Sequence, residues 1–228
     1  MKVLVVSPTY NVEETIETHI SRLLVYIDRE DILFIDDGST DQTVAIIAEY
    51  NIKCIPLQRN WGKGFALMQG LRYAKEHHYD AVITIDSDLQ HSHDFIPDLI
   101  NCYRSHIDIV IGVRSQNYEA MPFSRKISNA CSSFIISVLA RKRIKDSQSG
   151  FRMIGSDYFD LVSLEYGFTF ESDFLVKACW RGASVLNIKI PTIYNGSKSS
   201  FRYVRDTLLF VRLFTSLTAQ MIFRYGLR

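Results

Sequence analysis

Two aspartates one residue apart, Asp86-Ser87-Asp88, follow the apolar run Ala81–Ile85. Alternation along a strand sends such a pair to one side of the backbone, where the two carboxylates converge on a hard divalent cation, and Gln90 continues the same face. Mg2+ and Mn2+ favour oxygen donors and commonly sit between one or two carboxylates and substrate phosphates, where they offset charge on a departing diphosphate. A second acidic pair ends another apolar run in Asp36-Asp37-Gly38-Ser39. Gly38 is free to take a positive φ and Ser39 or Asp41 can cap the next helix, but capping does not need two adjacent carboxylates. These fit hydrogen bonds to a uracil or guanine edge or to a ribose. Asn60-Trp61-Gly62-Lys63-Gly64 is a small-residue loop opening a helix, with Lys63 available for a phosphate and a plain turn as the simpler reading.

The elements that must carry these loops alternate in type. Short β-rich runs at Lys2–Ser7, Ile32–Ile35, Ile52–Leu57, Ala81–Ile85 and Ile107–Val113 are separated by stretches of helical spacing at Glu13–Ile27, Asp41–Tyr50, Lys63–His78 and Asp94–Ser105. Five strands separated by helices predict an α/β fold with a mostly parallel sheet covered on both faces. Ligands of open parallel sheets bind outside the carboxyl ends of the strands, where the acidic and glycine-rich loops fall. Neither GxGxxG after the first strand nor GxxxxGK[ST] occurs, which argues against dinucleotide binding and P-loop hydrolysis.

Composition narrows the class further. With 26 Lys or Arg against 25 Asp or Glu the net charge is +1, so nucleic-acid binding by bulk electrostatics is not expected. A chain that is 47% hydrophobic and 22% charged is globular rather than disordered. Its 228 residues are expected to form one domain, 1–228, without internal repeats. The four cysteines form no CxxC pair, and the first apolar run ends at Pro8, too short for a secretory h-region; a cytoplasmic location is expected. The run from about 203 to 225 is interrupted by Arg212 and Gln220. It is expected to be an amphipathic helix that either packs on the core or lies in a membrane interface.

Taken in order, the motifs resemble the inverting nucleotide-diphospho-sugar transferases of glycosyltransferase family 2, which have the GT-A fold, a Rossmann-like sheet. Pro8-Thr9-Tyr10-Asn11 with Glu13-Glu14 is similar to the family's opening P-x-Y-N-E, Asp36-Asp37-Gly38-Ser39 to its DDGS, and Asn60-Trp-Gly-Lys-Gly-Phe-Ala to its N-x-G-K-G-x-A. Asp86-Ser-Asp-Leu-Gln-His resembles the D-A-D-L-Q-H of the polyprenyl- and dolichyl-phosphate mannose or glucose synthases. Gly112-Val113-Arg114, Asp146-Ser-Gln-Ser-Gly-Phe-Arg152 and Gly196-Ser-Lys-Ser-Ser-Phe201 are similar to that subgroup's later motifs. Tyr194-Asn195 departs from it where many members carry an arginine.

The resemblance implies transfer of mannose or glucose from a GDP- or UDP-sugar donor to a polyprenyl (dolichyl or undecaprenyl) phosphate, with Mg2+ or Mn2+ as cofactor. It implies a metal site at Asp86, Asp88 and Gln90, and donor binding by Pro8, Tyr10, Glu13, Asp37, Lys63, Asp86 and Lys198. Asp88, Arg114 and Arg152 would be catalytic. Arg125, Lys126, Arg141, Lys142, Arg143 and Lys145 surround the uncharged stretch Ile127–Ala140, a charged solvated face or a seat for an anionic lipid headgroup. On the second reading Arg114, Arg125 and Ser128, or Asn129 one residue on, bind the acceptor phosphate. Peripheral contact with the cytoplasmic face of a membrane and a membrane-protein partner are then expected, and nucleic acid is not. Two rivals are a family 2 enzyme acting on a sugar hydroxyl, with Asp146 or Glu171 as base, and a non-catalytic nucleotide-sugar-binding homologue.

Overall fold

Alternate residues of the first strand part to opposite sides: Leu4 and Val6 join one buried cluster, Val3 and Val5 the other. The second strand repeats the division, with Leu33 and Ile35 against Ile32 and Phe34. Strands buried on both faces need helices on both faces. The computed structural model describes residues 1–115, 123–161, 169–191, 193 and 203–225, without the side chains of 115, 123–128, 203–207 and 224–225.

Seven strands are present: β1 (Val3–Thr9), β2 (Ile32–Asp36), β3 (Lys53–Pro56), β4 (Ala81–Thr84), β5 (Ile109–Ser115), β6 (Arg152–Gly155) and β7 (Val185–Pro191). They lie in the order β3-β2-β1-β4-β6-β5-β7. Every neighbouring pair is parallel except β4 with β6 and β6 with β5. Six strands therefore run one way and β6 runs against them, giving the mostly parallel sheet expected. Helices α1 (Ile16–Leu23), α2 (Thr43–Glu49) and α4 (Ile96–Arg104) cover one face through Ile16, Ile20, Leu23, Ile47, Ile96 and Leu99. The other face carries α3 (Lys63–Glu76), α5 (Phe123–Ala140), α6 (Phe170–Arg181) and α7 (Tyr203–Tyr225). Helix α3 comes so close to β1 that a Cβ on Gly70 would collide with the Val6 side chain.

Beneath the rim, three buried polar side chains on α1, β1 and the turn before α4 form a chain. The Ser7 hydroxyl donates to the Ile85 carbonyl, so its oxygen accepts from His19 Nε2, and His19 Nδ1 in turn accepts from His93 Nε2, both at 2.9 Å. His19, with one ring nitrogen donating and the other accepting, is thereby neutral. Burial depresses His19 from an ordinary 6.5 to about 3 and His93 to about 4.

Candidate active site

The reversed strand decides what meets at the rim. Because β6 is antiparallel, its first residue Arg152 pairs with Thr84 at the end of β4 and with Ile111, the third residue of β5. The loop of residues 146–151 is thus delivered beside the loop that follows β4.

Asp86 lies past the end of β4, in a turn where Leu89 takes φ 61. Strand alternation therefore does not govern Asp86 and Asp88 as the sequence led us to expect; the turn does. A left-handed leucine costs about 1–3 kcal/mol and is kept only where its surroundings enforce it. Asp88 Oδ1 accepts from the Gln90 amide at 3.0 Å. Asp86 faces the first residue of α3, with Lys63 Nζ at 2.7 Å from Oδ1 and 2.9 Å from Oδ2. On the other side of that ammonium, 2.7 Å away, is Glu171 Oε1 from the first turn of α6. The Asp86 carboxylate rests on Gly150, where a Cβ would stand 2.7 Å from its Cγ.

Electrostatics separate the two aspartates. Burial pushes Asp86 up, but the Lys63 ammonium and nearby His91 outweigh it and hold the carboxyl well below the usual range. Asp88 is raised, by burial and then by the negative charge of Asp86. Burial opposes the charge on Lys63, yet its two carboxylates raise it. Among the described residues no three His, Cys, Asp or Glu side chains are grouped to hold a metal ion.

Other expected residues have main-chain tasks. Asp37 is 4% exposed, and its carboxylate accepts from the amides of Trp61 and Gly62 at 2.7 and 2.8 Å. It ties the end of β2 to the loop before α3 and so shapes that loop. Asp36 accepts from the amide and hydroxyl of Ser39. Gly38, at φ 79, is pressed against Arg59 so closely that a Cβ would lie 2.7 Å from the carbonyl carbon. Glu13 accepts from the Gln42 amide at 3.0 Å, and Asp41 from the amides of Glu13 and Thr43. Neither Ser39 nor Asp41 is the residue preceding α2; that is Gln42, with no side-chain cap. Pro8 is buried, its carbonyl taken by Ser87 Oγ. Tyr10 and Trp61 are exposed at the rim, the latter under the Arg59 guanidinium at 3.9 Å.

Arg152 is one of the residues expected to be catalytic. It is 2% exposed, and its guanidinium donates to the carbonyls of Ser149, Glu171 and Ser147 at 2.7 to 2.8 Å. Three main-chain acceptors around one fork make it a brace between the 146–151 loop and the start of α6. Arg114 and Asp146 form a bidentate pair at 2.8 and 3.0 Å. Burial raises the Asp146 carboxyl, but the Arg114 charge and hydrogen bonds outweigh it and leave the group below the ordinary range. The side chains of Arg125 and Ser128, in the first part of α5, lie outside the described residues, as does Lys198. Sequence reasoning missed Gly150 and His91 and gave Glu171 only a base's role. An acidic residue beside Phe170 at the head of an apolar helix was the available signal.

The family model described as glycosyl transferase family 2 matches residues 4–162. The chain is 32% identical over 190 residues to the dolichol-phosphate mannosyltransferase of Pyrococcus furiosus, covering 78% of this chain and 53% of that one. It is 26% identical over 202 residues to the undecaprenyl-phosphate mannosyltransferase of Micrococcus luteus, covering 83% of each. Among solved structures, glucosyl-3-phosphoglycerate synthase from Mycobacterium tuberculosis, in complex with Mn2+, uridine diphosphate and glucosyl-3-phosphoglycerate, aligns with a TM-score of 0.72. That alignment has 20% identity and covers 99% of this chain and 80% of that one, a likeness of fold.

Proposed function

The chain belongs to glycosyl transferase family 2, with the GT-A fold, and from that premise we propose that it moves a hexose from a nucleoside diphosphate to a polyprenyl phosphate with inversion. The observation that carries the acceptor class is the state of the two candidate bases. Asp146 is forked by Arg114 and held below the ordinary carboxylate range, and Glu171 is paired to Lys63. Neither is disposed to take a proton from an alcohol, whereas a phosphate acceptor arrives as an anion and needs no base. The names of the Pyrococcus and Micrococcus relatives agree with this acceptor.

The residues present fit a divalent cation. Asp86 already draws an ammonium to 2.7 Å, and with Asp88 and Gln90 it would hold the cation beside the donor's diphosphate. Mg2+ or Mn2+ bound there supplies charge neutralisation of the leaving diphosphate. Lys63 adds a positive charge at the same rim, Tyr10 and Trp61 offer faces for the base, and Asp37 keeps the intervening loop in place. Arg114, Arg125 and Ser128 take the acceptor phosphate, with Lys198 near the sugar. An acceptor oxygen then bonds to the anomeric carbon as the bond to the diphosphate breaks on the opposite face. Outward apolar side chains of α7 and the cations after α5 hold the protein at an anionic membrane where that lipid resides.

A panel of GDP- and UDP-hexoses with undecaprenyl or dolichyl phosphate and Mn2+ tests this reading. The expected product is sugar in the organic phase, lost with EDTA or Asp88→Asn. Transfer to a water-soluble sugar hydroxyl with none to polyprenyl phosphate overturns it.

A further inference from the structure

The Lys63 ammonium has three N–H donors, and three carboxylate oxygens surround it: Asp86 Oδ1, Asp86 Oδ2 and Glu171 Oε1. The fourth oxygen of the set, Glu171 Oε2, is buried and has no hydrogen-bond partner. A buried acceptor left unmatched is destabilising and persists in a native structure for a reason. Glu171 cannot easily turn away, because the Arg152 guanidinium holds its carbonyl at 2.8 Å and the residue opens a packed helix. Lys63 has a flexible four-carbon stem and a 27% exposed side chain.

An ammonium and a divalent cation compete for the same carboxylate, and like charges so close repel strongly at the effective dielectric of a protein rim. Resting on the metal reading of Asp86 given above, we propose that Glu171 is a positioning residue that receives the Lys63 ammonium when Asp86 turns to a divalent cation. Oε2 is the acceptor held ready for it. In this arrangement Lys63 occupies the cation's place until the cation arrives and then moves wholly onto Glu171. The Lys63–Glu171 pair thereby sets how tightly the cation is held.

The test is Mn2+ binding, read from the electron paramagnetic resonance of unbound Mn2+ with and without uridine diphosphate. Glu171→Gln keeps the shape but removes the charge, leaving Lys63 committed to Asp86, and the expected result is about tenfold weaker Mn2+ binding. In a Lys63→Met background the competitor is gone, so Glu171→Gln should change the affinity by less than about twofold, since coupled residues are not additive. A tenfold loss that persists in that background, or no loss in either, overturns the proposal. Should Glu171→Gln alone not fold, Lys63→Met against the Lys63→Met/Glu171→Gln double decides it by the same criterion. Mn2+ binding that survives both Asp86→Asn and Asp88→Asn, or is absent from the wild type with uridine diphosphate present, sinks the metal reading instead.

Discussion

Asp86 keeps its position because Gly150 has no side chain: the carboxylate lies where a Cβ would stand, and Lys63 pulls it from the other side. Gly150→Ala should therefore push the carboxylate off its bed while leaving the rest of the 146–151 loop intact. A misplacement of about 1 Å at a reacting centre can lower turnover about a hundredfold. We expect that loss in kcat with a melting temperature within a few degrees of wild type; unchanged kcat would show that Asp86 is not placed by this contact. The glycine's meaning was invisible in the sequence, where it reads as part of a turn-forming motif. The same holds for Asp37, an acid whose partners are the amides of Trp61 and Gly62. Sequence names the carboxylate but not its partner. Lys63 was legible as a cation at a loop opening a helix, whereas its second partner, Glu171, lies far away along the chain.

Among the elements, α7 packs on the core by one side and leaves apolar side chains outward on another. Leu213 and Leu217 are buried on the core, while Leu208, Val211, Ile222 and Phe223 stand out, the last 76% exposed. No helix among the described residues is long and apolar enough to cross a membrane. Helix α5 likewise leaves Phe134 and Val138 outside, and the exposed cations Arg141, Lys142 and Arg143 follow it. Each large apolar side chain buried in lipid contributes about 1.5–3 kcal/mol. The protein is expected to sediment with anionic vesicles and less with neutral ones, and Ile222→Asp/Phe223→Asp to cut the bound fraction at least tenfold. Equal binding by the double variant excludes this face. The first five strands and α7 were legible because hydrophobic period and length agree there. The exception is β6: four residues beginning with a buried arginine show neither alternation nor length, and its direction is fixed by β4 and β5 on either side. Helix α6 and strand β7 also went unread; on α6 the charged Glu171 and Asp173 are buried and break the usual pattern.

For the whole molecule, the Ser7–His19–His93 chain links acidity to stability. Unfolded histidines take up protons near pH 6.5, whereas the folded rings resist until about pH 3 and 4. Between those limits the unfolded state binds more protons, so stability is complete above pH 6.5 and falls as pH is lowered, by about 1.4 kcal/mol per unit for each ring. Urea midpoints measured from pH 7.5 to 4.5 should show this limb, and His19→Leu/His93→Leu should flatten it; an undiminished slope in the double variant assigns it elsewhere. The reversed strand has a different kind of consequence, in time. Its pairing of residue 84 with residue 152, and the meeting of Lys63 with Glu171, join the two halves of the chain. Contacts so distant along the chain form late, and during synthesis the N-terminal half emerges first. A ribosome that has released β1 to β4 has displayed the aspartates but not the glycine beneath them, the arginine brace or the second carboxylate. The contacts that hold Asp86 and Lys63 are thus complete only when α6 emerges, and they arrive in one late step rather than accumulating along the way.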